Sequence, residues 1–265
     1  MRVFPGGRTT ARFIARNVLP PVVAFAVLVT VWEAYVSWRD ISIIVVPRPS
    51  DVIERFFDRP GFFWRQDLNT FYEATMGLAF GTLAAGILAV IMAHSGLAER
   101  TLMPLAIALK VTPLVAVAPV LMIIFGFGRE PNIIIAALLS FFPILINVTA
   151  GLRDVSPGAL EFLRSVDASP WQVFWKLRVP SSMPYLFPAL KTAYPLALIG
   201  AVVAEWFGVA RGLGYVIASA NSNLDTPTLF AAIGVLAITG VAVNVILSVI
   251  ERRVLFWHES VRTTK

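Results

Sequence analysis

Few side chains of this sequence combine the type and the surroundings needed for chemistry. Lys110 stands inside a long apolar run, within one helical turn of Thr112 and Pro113. An ionisable group in such a run marks a pathway or a gate by default, because charge is costly in hydrocarbon. A structural role is equally open to it: snorkelling to an interface, or pairing with Glu33 or Glu205. Glu205 ends another apolar run and is followed by Gly208, Gly212, Gly214 and Tyr215, a stretch able to turn back on itself. Asn147 and Thr149 lie in a further run, where they can pack, line a path or bond across helices. Catalytic patterns are missing. No Gly-Lys pair occurs, so a phosphate-binding Walker A loop cannot form. With 2 histidines, His94 and His258, and no cysteine, the chain has no H-E-x-x-H zinc site, thiolate site or disulfide. Gly-x-Ser-x-Gly is absent as well. These absences argue against an enzyme, and no cofactor or metal is expected on this chain.

The most informative stretch is 156–180, SPGALEFLRSVDASPWQVFWKLRVP, a polar island between apolar runs. It reads as two short helices joined by a bend. Ser156 can cap the first, with Pro157 at the first helical position, where its missing N–H costs nothing. Ser169 and Pro170 repeat that signal, and Gln172 completes a capping box. Pro180 is expected to stop the second helix, because the residue before a proline is pushed away from helical geometry. Ala159, Phe162, Leu163 and Val166 share one face of the first helix; Val173, Phe174 and Leu177 share one of the second. Glu161, Arg164, Lys176 and Arg178 lie largely off those faces. Such a capped amphipathic hairpin is built to dock onto something; lying flat on a membrane surface is the plainer alternative.

The elements around these residues are apolar helices. Hydrophobic residues make up 57% of the 265 and charged residues 14%, with a mean hydropathy of +0.76. The chain therefore reads as a single all-α integral membrane domain, residues 1–265, with the hairpin as an insert. About six spans are expected, at 18–38, 71–94, 102–125, 132–152, 185–207 and 229–250. The net charge of +6 comes from basic residues flanking the spans, so positive-inside topology explains it and nucleic acid need not. Arg2, Arg8, Arg12 and Arg16 precede the first span, and Arg252, Arg253, Arg262 and Lys265 follow the last. Both termini and the hairpin then share the cytoplasmic side. The first run continues past its A-x-A triplet, which favours a retained span over a cleaved signal. Ser50 is expected to cap a short amphipathic segment bearing Val52, Ile53, Phe56 and Phe57. Small residues four apart, Gly77, Gly81, Ala85 and Ala89, let the second span pack closely, inside the subunit rather than between subunits. Pro104, Pro113 and Pro119 should each break the hydrogen bonding of the third span, tolerated where it is buried or lines a wet path. Segment 215–220 can form a short re-entrant piece.

The hairpin also resembles the cytoplasmic loop of ATP-binding-cassette (ABC) importer permeases, with the pattern E-A-A-x3-G-x9-I-x-L-P. Glu161 takes the Glu position, Phe162 and Leu163 the two Ala positions, and Asp167 the Gly position. Leu177, Val179 and Pro180 fill the end with its spacing intact. Pro47-Arg48-Pro49-Ser50, Phe125-Gly126-Phe127-Gly128 and the stretch from Ala204-Glu205 through Gly212-Leu213-Gly214-Tyr215 to Asp225-Thr226 are similar to segments of the same permeases. The last is closest to the nitrate, taurine and sulfonate branch, which also holds transporters of thiamine-pyrimidine precursors. The resemblance implies a type I ABC importer permease in a bacterial inner membrane. It implies that two identical permeases, a homodimer, enclose the path, that an extracytoplasmic binding protein delivers the solute, and that ATP and Mg stay on a partner ATPase. Together with the residue reading above, it assigns Glu161, Phe162, Leu163, Arg164, Asp167, Trp171 and Pro180 to ATPase coupling, and Lys110, Thr112, Pro113, Asn147, Glu205 and Tyr215 to the path or its gate. Glu205 and Asp225 would help to close the outer side. An ion-driven secondary transporter or channel is the rival reading; it favours midplane acids and a repeated pair of broken helices.

Overall fold

The computed structural model describes residues 19–208 and 210–256; the side chains of residues 109, 110, 114 and 115 are outside the described set. The arginines at 2, 8, 12 and 16, His258, Arg262, Lys265 and the Lys110 side chain therefore lie outside the described residues. Among the described residues the regular structure is all helix, with five helices long and apolar enough to cross a membrane. The chain divides into two compact units: one up to Pro60 together with Ala220–Ala231, the other Gly61–Ser219 together with the chain from Ala232 onward.

In the first unit, α1 (Leu19–Trp38) is followed by α2 (Pro49–Asp58). Ser50 does not cap α2. The helix begins two residues earlier than a Ser50 cap would place it, with Arg48 at the cap position and Pro49 in the first turn. Proline needs no partner for its nitrogen there, so the start shifts back. The Ser50 hydroxyl and amide instead both donate to Glu33 of α1, at 2.9 and 3.1 Å. The Trp32 ring lies 5.5 Å from that of Phe230, and Arg55 lies 3.7 Å from Asp225.

The second unit is built on α3 (Pro60–His94), α6 (Glu130–Arg153) and α9 (Val179–Glu205). Gly77, Gly81, Ala85 and Ala89 are all buried. A Cβ on Gly77 would stand 2.4 Å from the Ala136 Cβ, and one on Gly81 would stand 2.7 Å from the Ala137 carbonyl. The stripe thus seats α3 on α6 within the chain. On the opposite side, a Cβ on Gly200 of α9 would come within 2.9 Å of Ala136 Cα. Small residues let three backbones approach around Ala136, where side-chain bulk would hold them apart. Met92, Ile144, Leu145 and Ala189 complete the core toward the hairpin end.

The expected third span is two helices, α4 (Gly96–Val111) and α5 (Leu114–Phe125), meeting at Thr112–Pro113. Only Pro113 breaks the run; Pro104 and Pro119 lie inside their helices. At 1.5 Å per residue neither piece reaches the roughly 30 Å of a bilayer core by itself. Two further boundaries differ from the hydropathy expectation. Helix α3 starts at Pro60 rather than 71, its polar first turns being continuous with the span, and α9 starts at Val179 rather than 185. Short helix α10 (Leu213–Ser222) covers the expected re-entrant piece, and α11 (Thr226–Val254) follows.

Candidate functional site

The hairpin forms from local signals. Helix α7 (Pro157–Ser165) starts at Pro157, but the Ser156 side chain makes no cap bond. Proline sets the first helical φ by itself, and the Ser156 carbonyl accepts the first helical bond from Leu160, at 3.1 Å. At its other end the Ala168 amide donates to the Leu163 carbonyl at 3.0 Å and the Asp167 amide to Arg164 at 3.1 Å. This pairing is a Schellman closure, which needs the first of the two donors in the chain to be left-handed. Asp167 is that residue, with φ 51°. Short helix α8 (Pro170–Val173) starts with the expected capping box: Ser169 Oγ accepts from the Gln172 amide, and Gln172 Oε1 accepts from the Ser169 amide.

Pro180 does not end the helix that follows. Residues Phe174–Arg178 form a π turn, in which the Val179 amide donates to the Phe174 carbonyl, and α9 continues from it. The wider turn accommodates a proline that lacks an N–H and would crowd the preceding carbonyls of a regular helix. The hairpin's second arm and α9 are therefore one rod, Pro170–Glu205, of 36 residues.

Val173, Phe174 and Leu177 are half-buried, and the Phe174 ring packs 5.5 Å from that of His94. Gly151 lets α6 approach α9, since a Cβ there would meet Ser182 Cα at 2.9 Å. The opposite face stays open: Phe162, Val166, Trp171 and Trp175 are all more than half exposed, and Trp171 contacts both Phe174 and Trp175. Glu161, Arg164, Asp167 and Pro180 are exposed, whereas Leu163 is half-buried.

At the far end of α9, Glu205 is 1% exposed. Its Oε1 accepts from Thr70 Oγ1 at 2.7 Å, and its Oε2 from the Gly214 amide at 2.6 Å. Thr70 Oγ1 accepts in turn from the Leu213 amide at 2.8 Å, while Gln66 Oε1 takes the Gly212 amide at 2.7 Å. Three consecutive amides at the start of α10, which lack helical partners by construction, are thus bonded to α3 and α9. The glycines follow from this. Gly212 has φ +86°, and a Cβ on it would fall 2.0 Å from Glu205 Oε1; one on Gly214 would fall 2.2 Å from the Val202 carbonyl. A second acid, Glu73, is fully buried beside Glu205. Its Oε2 accepts from Asn132 Nδ2 at 2.8 Å, and Arg129 Nε lies 4.0 Å from its Oε1. Arg129 also donates to Asn69 Oδ1 at 2.7 Å and stacks 5.2 Å over Tyr72.

The remaining candidates separate. Lys110 falls in the last turn of α4, and Thr112 caps it, its amide and hydroxyl both donating to the Ala108 carbonyl at 3.1 and 3.0 Å. Asn147 and Thr149 bond to carbonyls of their own helix, Pro143 and Leu145, rather than across helices. Tyr215 is half-buried on α10. Asp225 starts α11, accepting from the Thr228 amide and hydroxyl at 3.3 and 2.7 Å. Sequence reasoning missed Gln66, Thr70, Glu73, Arg129 and Asn132. Glu73 alone carried a signal, an acid inside an expected span. Among the described residues no cluster of His, Cys, Asp and Glu could hold a metal ion.

Comparison with known proteins adds a family. The sequence profile described as binding-protein-dependent transport system inner membrane component matches residues 77–256. The riboflavin transport system permease protein RibX of Chloroflexus aurantiacus is 33% identical over 261 residues, 98% of this chain and 97% of that one. The formylaminopyrimidine transport permease protein ThiX of Halalkalibacterium halodurans is 31% identical over 243 residues, 91% of this chain and 96% of that one. In fold, the chain is similar to a crystal structure of an amino acid ABC transporter with histidines. The TM-score is 0.62 at 17% identity, covering 75% of this chain and 97% of that chain.

Proposed function

The chain belongs to the binding-protein-dependent transport family as a permease of an ABC importer, and from that premise we propose that it passes a small planar nitrogen heterocycle, a vitamin or vitamin precursor. In this reading the chain is a transport component and not an enzyme. Two copies enclose the path, a binding protein delivers the solute from outside, and ATP with Mg is held by the partner ATPase. The hairpin lies on the cytoplasmic side with both termini.

The observation that carries the mechanism is the unbroken rod from Pro170 to Glu205. One end bears the open aromatic face of the hairpin, and the other end of its 36 residues bears the carboxylate that anchors α10. A helix transmits rotation and tilt where a flexible loop would absorb them. The ATPase grips Phe162, Val166, Trp171 and Trp175; its closure on ATP tilts the rod, and the far end shifts the Glu205-anchored segment at the outer gate. Lys110, Thr112 and Pro113, at the break between α4 and α5, border the path. The substrate class rests on the names of the two relatives, both heterocycle permeases.

The test is gentle purification of the tagged chain from its native membrane. The reading expects a Walker A ATPase in equal amount, and a binding protein whose ligand competes with riboflavin or a pyrimidine. A binding protein that takes only taurine-like anions would overturn the substrate class. A chain that elutes alone and moves solute without ATP would overturn the importer mechanism.

A further inference from the structure

Arg153, the last residue of α6, sits at a junction of three helix ends. Its Nη2 donates to the Met92 carbonyl in the last turn of α3, 2.6 Å away, and its Nη1 pairs with Glu99 in the first turn of α4. The neighbouring Leu152 carbonyl accepts from Arg178 Nη1 at 3.1 Å, and Arg178 is the last residue of the π turn. The hairpin thus holds α6 through Arg178, and α6 holds α4 through Arg153. Helix α4 ends at the Thr112–Pro113 break.

Stability does not account for this arrangement. The Arg153 and Glu99 side chains are 36% and 31% exposed, and wet ion pairs contribute little to folding. Packing does not replace it either. The other attachment of α4 is apolar, with Ala106 in the core and Leu102 and Met103 against it, and apolar contact has no directionality. A guanidinium that reaches a carbonyl end and a carboxylate at once fixes the start of α4 on α3 and α6 in one register.

We propose that the Arg153–Glu99 pair is a positioning link that carries movement of the hairpin into α4, so that the Thr112–Pro113 break shifts in step with it. This route leaves the rod at Arg178 and does not follow it to Glu205. Neither residue is part of the loop pattern the permeases share, and neither touches the open face of the hairpin. The inference rests on the importer reading above.

The experiment measures solute taken up per ATP hydrolysed, in proteoliposomes holding the full complex with its ATPase and binding protein. Glu99→Arg should lower that ratio by about tenfold, the size of a typical coupling between sites, with the complex assembled and ATP still hydrolysed. The exchange Glu99→Arg with Arg153→Glu should recover part of it, because the ion pair returns while a carboxylate at 153 cannot donate to the Met92 carbonyl, and Glu99→Asp should keep it. A pair that only stabilised the fold would change the amount of assembled complex and leave the ratio alone. If Glu99→Arg does not assemble, Glu99→Gln is read in the same way. An unchanged ratio in the single variants, or an equal loss in the exchange, overturns this inference alone. A wild-type complex with no ATP-dependent uptake overturns the importer reading and this inference with it.

Discussion

Single side chains decide the two ends of the molecule. At the hairpin, Asp167 holds φ 51° in a Schellman closure whose geometry suits glycine better. A non-glycine residue there costs about 1–2 kcal/mol, less for Asp, whose short polar side chain can bond locally. Asp167→Gly should therefore keep uptake and raise the thermal midpoint of the purified complex slightly, whereas Asp167→Val, β-branched in a left-handed conformation, should lower both. At the other end, Gly214 leaves no room for a Cβ against the Val202 carbonyl. Gly214→Ala should destabilise by about 1–3 kcal/mol through overpacking, read as a lower midpoint in detergent, and Glu205→Gln should weaken the same anchor. The bend at Asp167 was legible because capping and bend signals are local. The anchor was not. Thr70 and Glu205 stand 135 residues apart, and nothing in one apolar run announces which other run will lie beside it. Glu73 was visible as an acid within a span, but its partner Asn132 lies 59 residues away in another apolar run.

Elements explain why Pro180 misled. A proline read in isolation ends a helix, but the chain inserts one wide π turn, Phe174–Arg178, and continues into α9. That turn is a feature of five residues with no sequence signature of its own. It carries a consequence for the hairpin: deleting Lys176 would let a regular α-helix close, rotating the hairpin by roughly 100° about the axis of α9. The variant should insert and fold, because α9 keeps its contacts, while the aromatic face points away from the ATPase. Pull-down of the ATPase by the variant should fail. The face itself has an anchor, since Trp171 is exposed and packs edge-to-face on Trp175 and tilted against Phe174. Trp171→Ala should weaken ATPase binding by about 2 kcal/mol, or roughly thirtyfold, measurable by titrating ATPase onto the chain in nanodiscs. The break at Thr112–Pro113 was half legible: three prolines signalled it, and one of them makes it, while Pro104 and Pro119 lie inside their helices.

Over the whole molecule, composition announced a membrane protein, and the small-residue stripe announced how α3 packs. Hydropathy placed the spans but not their full lengths, since it reads apolar content and not hydrogen bonding; α3 extends well beyond its apolar part and α9 begins inside the polar island. The long helices that join one end of the second unit to the other, α3 and α9, carry the hairpin at one end and the carboxylate cluster at the other. A rigid connection between two sites, one open to a partner and one buried, is what an ATP-driven gate requires.

The most direct test of that claim compares ATP-dependent uptake and ATP hydrolysis in proteoliposomes for the wild-type complex and for Glu161→Arg with Asp167→Arg. The account predicts that the double variant assembles and hydrolyses ATP while uptake is lost. Unchanged uptake in that variant would contradict the hairpin's role as the lever.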